Sequence, residues 1–339
     1  MRVLVTGATG NLGTALLEAL AADPEIEEVV GVARRLPQFT VAPYDTASWV
    51  FCDLTAPGAV TTLTDAARGC DAVVHLAWRF QPSHDEDAMR RTNVDGLRVV
   101  VDATVAAGVK HLVDVSSLGA YSPGPKDRKV DERWPTGGVH TSPYSRLKAA
   151  TERLLDEVEA SGADLTVSRA RPTLAVQSRA ASAITRYFAP SWLPSSLAAR
   201  VPAPLLPLPT GLRAQVVHSS DVADALRLMV LSGAGGAFNL ADDEVLGPQG
   251  LARAIGAMGA VEVPARLVRA PLELSWRLRM QPTDAGWLDL ALLSPLADTG
   301  RARRELGWVP AVPSGEALES LARGVARRDG VAGSPTLGR

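Results

Sequence analysis

The first thirteen residues, MRVLVTGATGNLG, restrict the fold more than any other stretch of the chain. Val3, Leu4 and Val5 form a short apolar run, the pattern of a strand buried on both faces of a parallel sheet. Thr6-Gly7 ends that run. From Asn11 onward, Leu12, Ala15, Leu16, Ala19 and Leu20 recur at helical spacing. The glycines therefore stand in the turn between a strand and a helix. Gly7 permits a tight turn without a Cβ clash. Gly10 lets backbone approach a pyrophosphate, and Gly13 lets helix and strand pack closely. The free N–H groups and the positive end of the helix dipole then face phosphate. The spacing is G-x-x-G-x-x-G rather than G-x-G-x-x-G, and such a pattern also fits an ordinary strand–turn–helix loop. Its place at the start of a strand–helix unit favours a nucleotide site.

The rest of the first half repeats this alternation. Strands are expected at Val29–Val32, Trp49–Cys52, Ala72–His75 and His111–Val115. Helices are expected at Thr61–Ala67, Asp85–Ala107 and Thr141–Ala160, followed by a strand at Leu165–Ser168. The pattern implies a doubly wound parallel α/β sheet whose ligands lie beyond the carboxyl ends of the strands. After Arg171-Pro172 it changes. Ala189–Leu212 holds six prolines among Trp192 and several leucines. That density excludes a long helix or a central strand. The stretch reads either as a lid or as an extended connection packed on the core. Farther on, Ala214–Val217 and Phe238–Leu240 read as strands. Ser219–Leu231 reads as a helix capped by Ser219 or Ser220. Pro248–Met258 and Ser314–Arg327 also read as helices, the second with Ser314 as N-cap and Gly324 as a weak point. The expected organisation is a dinucleotide-binding domain over 1–172, rejoined by 214–231. A smaller substrate domain follows, from 173–213 and 232–330. The tail from Asp329, and 331–339 above all, is expected to fray.

Composition excludes several classes. With 339 residues and a net charge of −2, nothing marks a nucleic-acid partner. Cys52 and Cys70 lack metal-ligand spacing, so neither a metal site nor a disulfide framework is expected, which suits a reducing cytoplasm. The apolar start is too short for a signal peptide, and no stretch is long enough for a membrane span.

The chemistry-bearing residues lie on the expected Thr141–Ala160 helix. Tyr144 and Lys148 are i, i+4 and so share a face. A free tyrosine, with a pKa of about 10, is a poor base at neutral pH. A nearby ammonium and an oxidised nicotinamide favour its phenolate. Tyr144 would then take a proton from an alcohol, or give one to a carbonyl, while hydride moves. Ser117, just after the fifth strand, would hold the reacting oxygen near Tyr144, or would be a capping serine. Asn93, inside a helix, would brace neighbouring backbone or a water near the lysine. Trp78, Phe80 and Tyr121 are candidate linings of a substrate site, or caps on the core. His75 reads as a structural histidine and His140 as the pocket's edge.

These segments resemble the extended short-chain dehydrogenase/reductases of the NAD-dependent epimerase/dehydratase family. The resemblance rests on Thr6–Gly13 (TGATGNLG), Asp53-Leu54, His75–Trp78, Thr92–Val94, Ser116–Tyr121 (SSLGAY), Tyr144–Lys148 and Arg171-Pro172. His218–Ala223, Phe238–Leu240 and Asp298–Pro310 continue it, in family order, over nearly the whole chain. It implies a Rossmann-type fold and a catalytic triad of Ser117, Tyr144 and Lys148. It implies cofactor contacts from Gly7, Thr9, Gly10, Asn11, Leu12 and Gly13, and from Asp53 and Leu54 at the adenine. Main chain at Leu76 and Ala77, together with Asn93, would also meet the cofactor. The nicotinamide would lie against Pro172 to Leu174, with Tyr144 and Lys148 beside it. It also implies a homodimer through the Asp85–Ala107 and Thr141–Ala160 helices. Trp78 departs from the family, which often has a small residue there, and puts a wall near the active site. Basic residues for a nucleotide-sugar pyrophosphate are scattered: Arg179, Arg186, Arg213 and Arg279 are the candidates.

Three outcomes follow for a small-molecule substrate. The first is epimerisation or dehydration of a nucleotide sugar. The second is net reduction of a ketone or aldehyde. The third, of another class, is a silent dinucleotide sensor. The expected cofactor is NADP rather than NAD. An acid about 20 residues beyond the glycines normally binds the ribose 2′-hydroxyl. Here the second strand ends in Ala33-Arg34-Arg35, and Arg34 offers a guanidinium suited to phosphate.

Overall fold

The apolar strands of the amino-terminal half alternate between two cores, one on each face of a single sheet. Val3 and Val5 join one core and Leu4 the other; Val74 and Val73 divide the same way, as do Val113 and Leu112. Period-two alternation with both faces apolar is what a parallel sheet covered by helices requires. The computed structural model describes residues 1–81, 84–188 and 205–331. Its first part runs β1 (Arg2–Thr6), α1 (Asn11–Ala21), β2 (Glu28–Ala33), β3 (Ser48–Phe51), α2 (Ala59–Ala67), β4 (Ala72–His75) and α3 (Glu86–Arg90). A π-helical turn over Arg91–Asp95 leads into α4 (Gly96–Ala106) and β5 (His111–Val115). Then come β6 (Lys129–Val130), α5 (Pro143–Ala160) and β7 (Thr166–Pro172).

After Pro172 the elements are shorter. They are β8 (Leu174–Val176), α6 (Ala181–Phe188), β9 (Leu206–Pro209), β10 (Val216–His218), α7 (Ser219–Ser232) and β11 (Gly236–Leu240). The chain continues through α8 (Pro248–Ala254), β12 (Ala260–Val263), α9 (Ala265–Arg277), α10 (Gly286–Leu293), β13 (Leu296–Ala297), α11 (Gly300–Leu306) and α12 (Ser314–Arg327). Seven parallel strands form the main sheet in the order β11-β7-β5-β4-β1-β2-β3. The order reverses between β1 and β4, the switch point where ligands bind in such sheets. One face is covered by α1 and α7, through Leu16, Leu20, Leu226 and Met229. The other is covered by α2, α4 and α5, through Leu63, Leu97, Val101 and Leu155. β11, inside the 232–330 stretch, pairs with β7 at the edge of this main sheet. No helix among the described residues is long and apolar enough to cross a membrane.

Several local expectations are corrected. The single helix Asp85–Ala107 is broken by the π turn, which carries Asn93. His218, not Ser219 or Ser220, caps α7, its Nδ1 accepting from the Ser220 N–H at 3.3 Å. Ser314 is the first residue of α12 rather than its cap; its hydroxyl donates to Val216 O at 2.9 Å and so ties the helix to β10. Gly324 is a close-approach site: a Cβ there would lie 2.2 Å from Ser178 O. The tail is anchored at its start, where Ser182 N donates to Asp329 O at 3.0 Å and Val331 is buried. Of the proline-rich stretch, 189–204 lie outside the described residues, as do 332–339. Its end forms β9, paired in parallel with β12 in a two-stranded sheet. Such an edge tolerates Pro207 and Pro209, which have no N–H to donate.

Candidate active site

The switch point is shaped by the loop after β1. Gly7 has φ +72°, and a Cβ on it would lie 2.7 Å from Ala77 N. The backbone of Leu76-Ala77, after β4, thus packs directly on the glycine turn. A Cβ on Gly13 would lie 2.4 Å from Gly7 O, so α1 also needs a glycine to start so close to its strand. Gly10 caps α1 with no side-chain hydrogen bond, and the first turn carries no acid. The leading N–H groups of α1, from Asn11 and Leu12, are therefore left for an outside acceptor, and they fit a dinucleotide phosphate. The Asn11 side chain points elsewhere. Its Oδ1 accepts from Gln177 at 2.7 Å and its Nδ2 donates to Ser219 at 3.0 Å, locking the loop to β8 and α7. Leu12 and Leu54 spend their side chains in the two cores, while Thr9 is half-buried in the turn itself. Gln177 carried no motif and was missed, and Ser219, expected as a helix cap, holds Asn11 instead.

Asp53 follows β3 and accepts from Thr55 N and Oγ1, at 2.9 and 2.7 Å. Burial would raise its pKa, but these bonds and the charges of Arg34 and Arg79 hold it below the usual carboxylate value. Arg34, just past β2, is exposed. Asn93 is fully buried and accepts from Arg79 N at 2.7 Å while donating to Arg79 O at 2.9 Å. It braces the loop after β4 and has no bond to the lysine. The π turn supplies the register for this.

At the carboxyl end of β5, Ser117 and Tyr144 meet. Ser117 Oγ accepts from Gly119 N at 2.9 Å, so it does cap the following turn. It also lies against the phenol. A Cβ at Gly119 would come 2.9 Å from Tyr144 Cε1 and 3.3 Å from Ser117 Oγ. Tyr144 is placed by the start of α5, where Ser142 caps and Pro143 occupies the first turn. Ser145 fastens this turn by accepting from Val139 N at 2.7 Å and donating to Gly119 O. Burial pushes the Tyr144 pKa up to about 12, against a lowering by Ser117. One turn on, Lys148 is 4% exposed and donates to Val115 O at 2.8 Å. Its ammonium also lies 3.4 Å from the centre of a Trp78 ring. Burial pulls the Lys148 pKa down, opposed by the buried carboxyls of Asp114 and Glu152. His75 is held neutral by burial, at about 3, with its Nδ1 2.7 Å from Thr6 Oγ1. His140 is exposed at the edge.

Beneath this row Glu152 is wholly buried. It accepts from Ser116, from Arg171 Nε and NH2 at 2.8 Å each, and from Arg169 at 3.0 Å. Arg171 therefore fixes Pro172, where the main sheet gives way to the exposed Leu174. Two expected site residues belong elsewhere. Tyr121 is fully buried and donates to Asn239 at 2.7 Å, under Arg171, apart from the rings around Tyr144. Arg179 forms a forked ion pair with Glu18 on α1. Aromatic rings instead surround Tyr144. Trp78 meets it edge-on at 5.6 Å, Phe80 stacks parallel at 5.7 Å, and Trp287 of α10 lies at 4.8 Å. Asp284 shares this pocket, and one of its carboxyl oxygens accepts from Gly286 N at 2.8 Å. Trp287 and Asp284 were missed, because only folding brings them to Tyr144.

Residues 3–241 match the family described as NAD dependent epimerase/dehydratase. The chain belongs to that family. It is also 32% identical over 333 residues to a 3-diazoavenalumate denitrifying reductase from a Streptomyces species, covering 93% of this chain and 97% of the relative. Among solved structures, a dTDP-glucose 4,6-dehydratase from Streptomyces venezuelae with NAD and TYD bound has a TM-score of 0.69 at 21% identity, over 96% of this chain and 97% of that one. A UDP-glucose 4-epimerase of Thermus thermophilus in complex with NAD has a TM-score of 0.67 at 22% identity, over 96% and 99%. At that identity the structures establish the fold alone, a Rossmann-like doubly wound sheet. The family description marks the chain as a nicotinamide-dependent enzyme.

Proposed function

We propose that this enzyme transfers hydride at an alcohol or carbonyl carbon, with Tyr144 as the acid–base group. The meeting of Ser117 and Tyr144, with the Lys148 ammonium one turn on over Trp78, carries this reading. The residues suited to hold the cofactor are the backbone from Gly7, Thr9 and Gly10 to Gly13, Leu76-Ala77, Asp53 with Leu54, and Pro172 to Leu174. Bound nicotinamide supplies the hydride chemistry, while the protein orients and moves the proton. Burial favours the protonated phenol of Tyr144, which suits proton donation to a carbonyl oxygen. The Ser117 hydroxyl holds that oxygen. The Lys148 ammonium stabilises the phenolate left behind, and solvent returns the proton.

The family and several structural neighbours suggest a nucleotide sugar that is oxidised and reduced again. The aromatic wall around Tyr144 and the full-length likeness to a protein named as a reductase favour net reduction instead. In that reading the C=O π bond is replaced by one C–H bond, from hydride, and one O–H bond, from the Tyr144 proton. The separating experiment is a count of cofactor. Net reduction consumes one reduced cofactor per product, whereas epimerisation leaves the cofactor pool unchanged.

We infer that the cofactor is NADP, through Arg34. A charge-assisted hydrogen bond contributes about 1.5–3 kcal/mol. Arg34→Ala is therefore expected to weaken NADPH binding by roughly 10- to 100-fold and to leave NADH unchanged. Tighter NADH binding by wild type, or equal losses for both, contradicts the assignment. We also infer a homodimer through α4 and α5, consistent with the exposed Val105 on α4. Sedimentation equilibrium should report twice the chain mass; a monomer at micromolar concentration rules this out.

A further inference from the structure

We propose that the substrate is a flat, uncharged aromatic carbonyl compound whose ring lies among Phe80, Trp78 and Trp287, with its carbonyl oxygen at Tyr144. This rests on the hydride-transfer reading and names its substrate class. Among the described residues, six aromatic side chains form one connected cluster at the proton donor. Beyond the three that touch Tyr144, Tyr187 lies 5.2 Å from Phe80, and Phe188 meets Trp287 edge-on at 4.8 Å. The ring centres of Phe80 and Trp287 lie 6.3 Å apart with the planes tilted by 32°. Two stacking intervals need about 7 Å between parallel planes, so the pair must separate slightly and rotate into line to admit one flat ring. An inserted aromatic ring replaces each ring contact that it interrupts with another of the same kind. A sugar ring, thicker than a flat aromatic one and edged with hydroxyl groups, would need a wider opening of the pair and would set hydroxyl groups against aromatic edges.

Charge points the same way. The pocket's two charged side chains are Arg79 and Asp284. The Arg79 Nε is directed to Gln81 O at 2.9 Å, and its charge acts on Asp53 toward the cofactor side. Asp284 is 5% exposed and lies in the wall beside Trp287. A buried carboxyl group there opposes a diphosphate. Arg179, the basic residue expected on this side, is committed to Glu18.

In the reaction the carbonyl carbon gains hydride, its oxygen gains the Tyr144 proton, and the reduced dinucleotide is oxidised. The test uses cinnamaldehyde and UDP-glucose as probes, with NADPH consumption and calorimetric binding as separate readouts. Wild type is expected to bind and reduce cinnamaldehyde, and to do neither with UDP-glucose. Trp287→Ala and Phe80→Leu are each expected to raise KM and Kd for the aldehyde by about tenfold, with cofactor affinity unchanged. Trp287→Phe should recover most of the loss. Either substitution alone suffices if the other fails to fold. Binding and turnover of UDP-glucose in preference to the aldehyde overturns the substrate class and leaves hydride transfer standing. Aldehyde binding without turnover supports the aromatic site and overturns the chemistry beneath it. Aldehyde binding that is absent, or unchanged in both variants, overturns the proposal.

Discussion

Replacing Tyr144 by Phe is expected to lower kcat by about 10²–10⁴-fold, the usual contribution of a positioned acid–base group. Cofactor affinity should stay within about twofold, since the ring and its packing remain. Phe80, Trp78 and Trp287 contact the ring of Tyr144, not its hydroxyl, so the pocket keeps its shape. The hydroxyl alone is lost, and with it the proton donor that the geometry sets beside Ser117. Lys148→Ala should differ in kind. It removes the ammonium held at Val115 O and under Trp78, and so should damage both turnover and cofactor binding. Steady-state kinetics paired with cofactor titration separates the two patterns. Near-native turnover by Tyr144→Phe contradicts the assignment.

Glu152→Ala is expected to cost about 3–5 kcal/mol of folding stability, because breaking a buried ion pair strands its partner charge. Glu152 is fully buried and takes hydrogen bonds from Ser116, Arg169 and Arg171. Arg169 keeps Asp156 and Glu159 as partners. Arg171 does not have such a reserve: Tyr121 and the Glu132 carbonyl, both neutral, are its other contacts. The loss is a large share of the total stability of about 5–15 kcal/mol typical of a protein. Glu152→Gln keeps the shape and an acceptor, so it should lose less. Urea denaturation measures both. A loss under about 1 kcal/mol in Glu152→Ala would show that the arginines find other partners.

The parts of this molecule governed by short-range pattern were readable from sequence. Ala72–His75, His111–Val115 and Ser314–Arg327 match the observed elements residue for residue. Each is a local apolar run, or a periodic stretch with distinct ends. The π turn at Arg91–Asp95 was invisible, because one extra residue per turn scarcely disturbs a helical pattern. α9 was missed although it spans Ala265–Arg277, for Pro271 interrupts its sequence. Tyr144 and Lys148 announce themselves by i, i+4 spacing; the structure sets Tyr144 against Ser117 and the Lys148 ammonium at Val115 O. The surroundings that tune them do not. Trp287 reaches Tyr144 from far along the chain, and Asp114 is a buried acid within a mostly apolar strand. Tyr121 and Arg179 looked like pocket residues because polar ends near strand termini are ambiguous until their partners, Asn239 and Glu18, are in place.

The most direct test of hydride transfer uses NADPH carrying deuterium at the transferable position of the nicotinamide. Wild-type enzyme turns over an aromatic aldehyde, and mass spectrometry locates the label. The account predicts one deuterium on the carbinol carbon per NADPH consumed, and the same placement at a much lower rate in Tyr144→Phe. Product alcohol without deuterium at that carbon would contradict it.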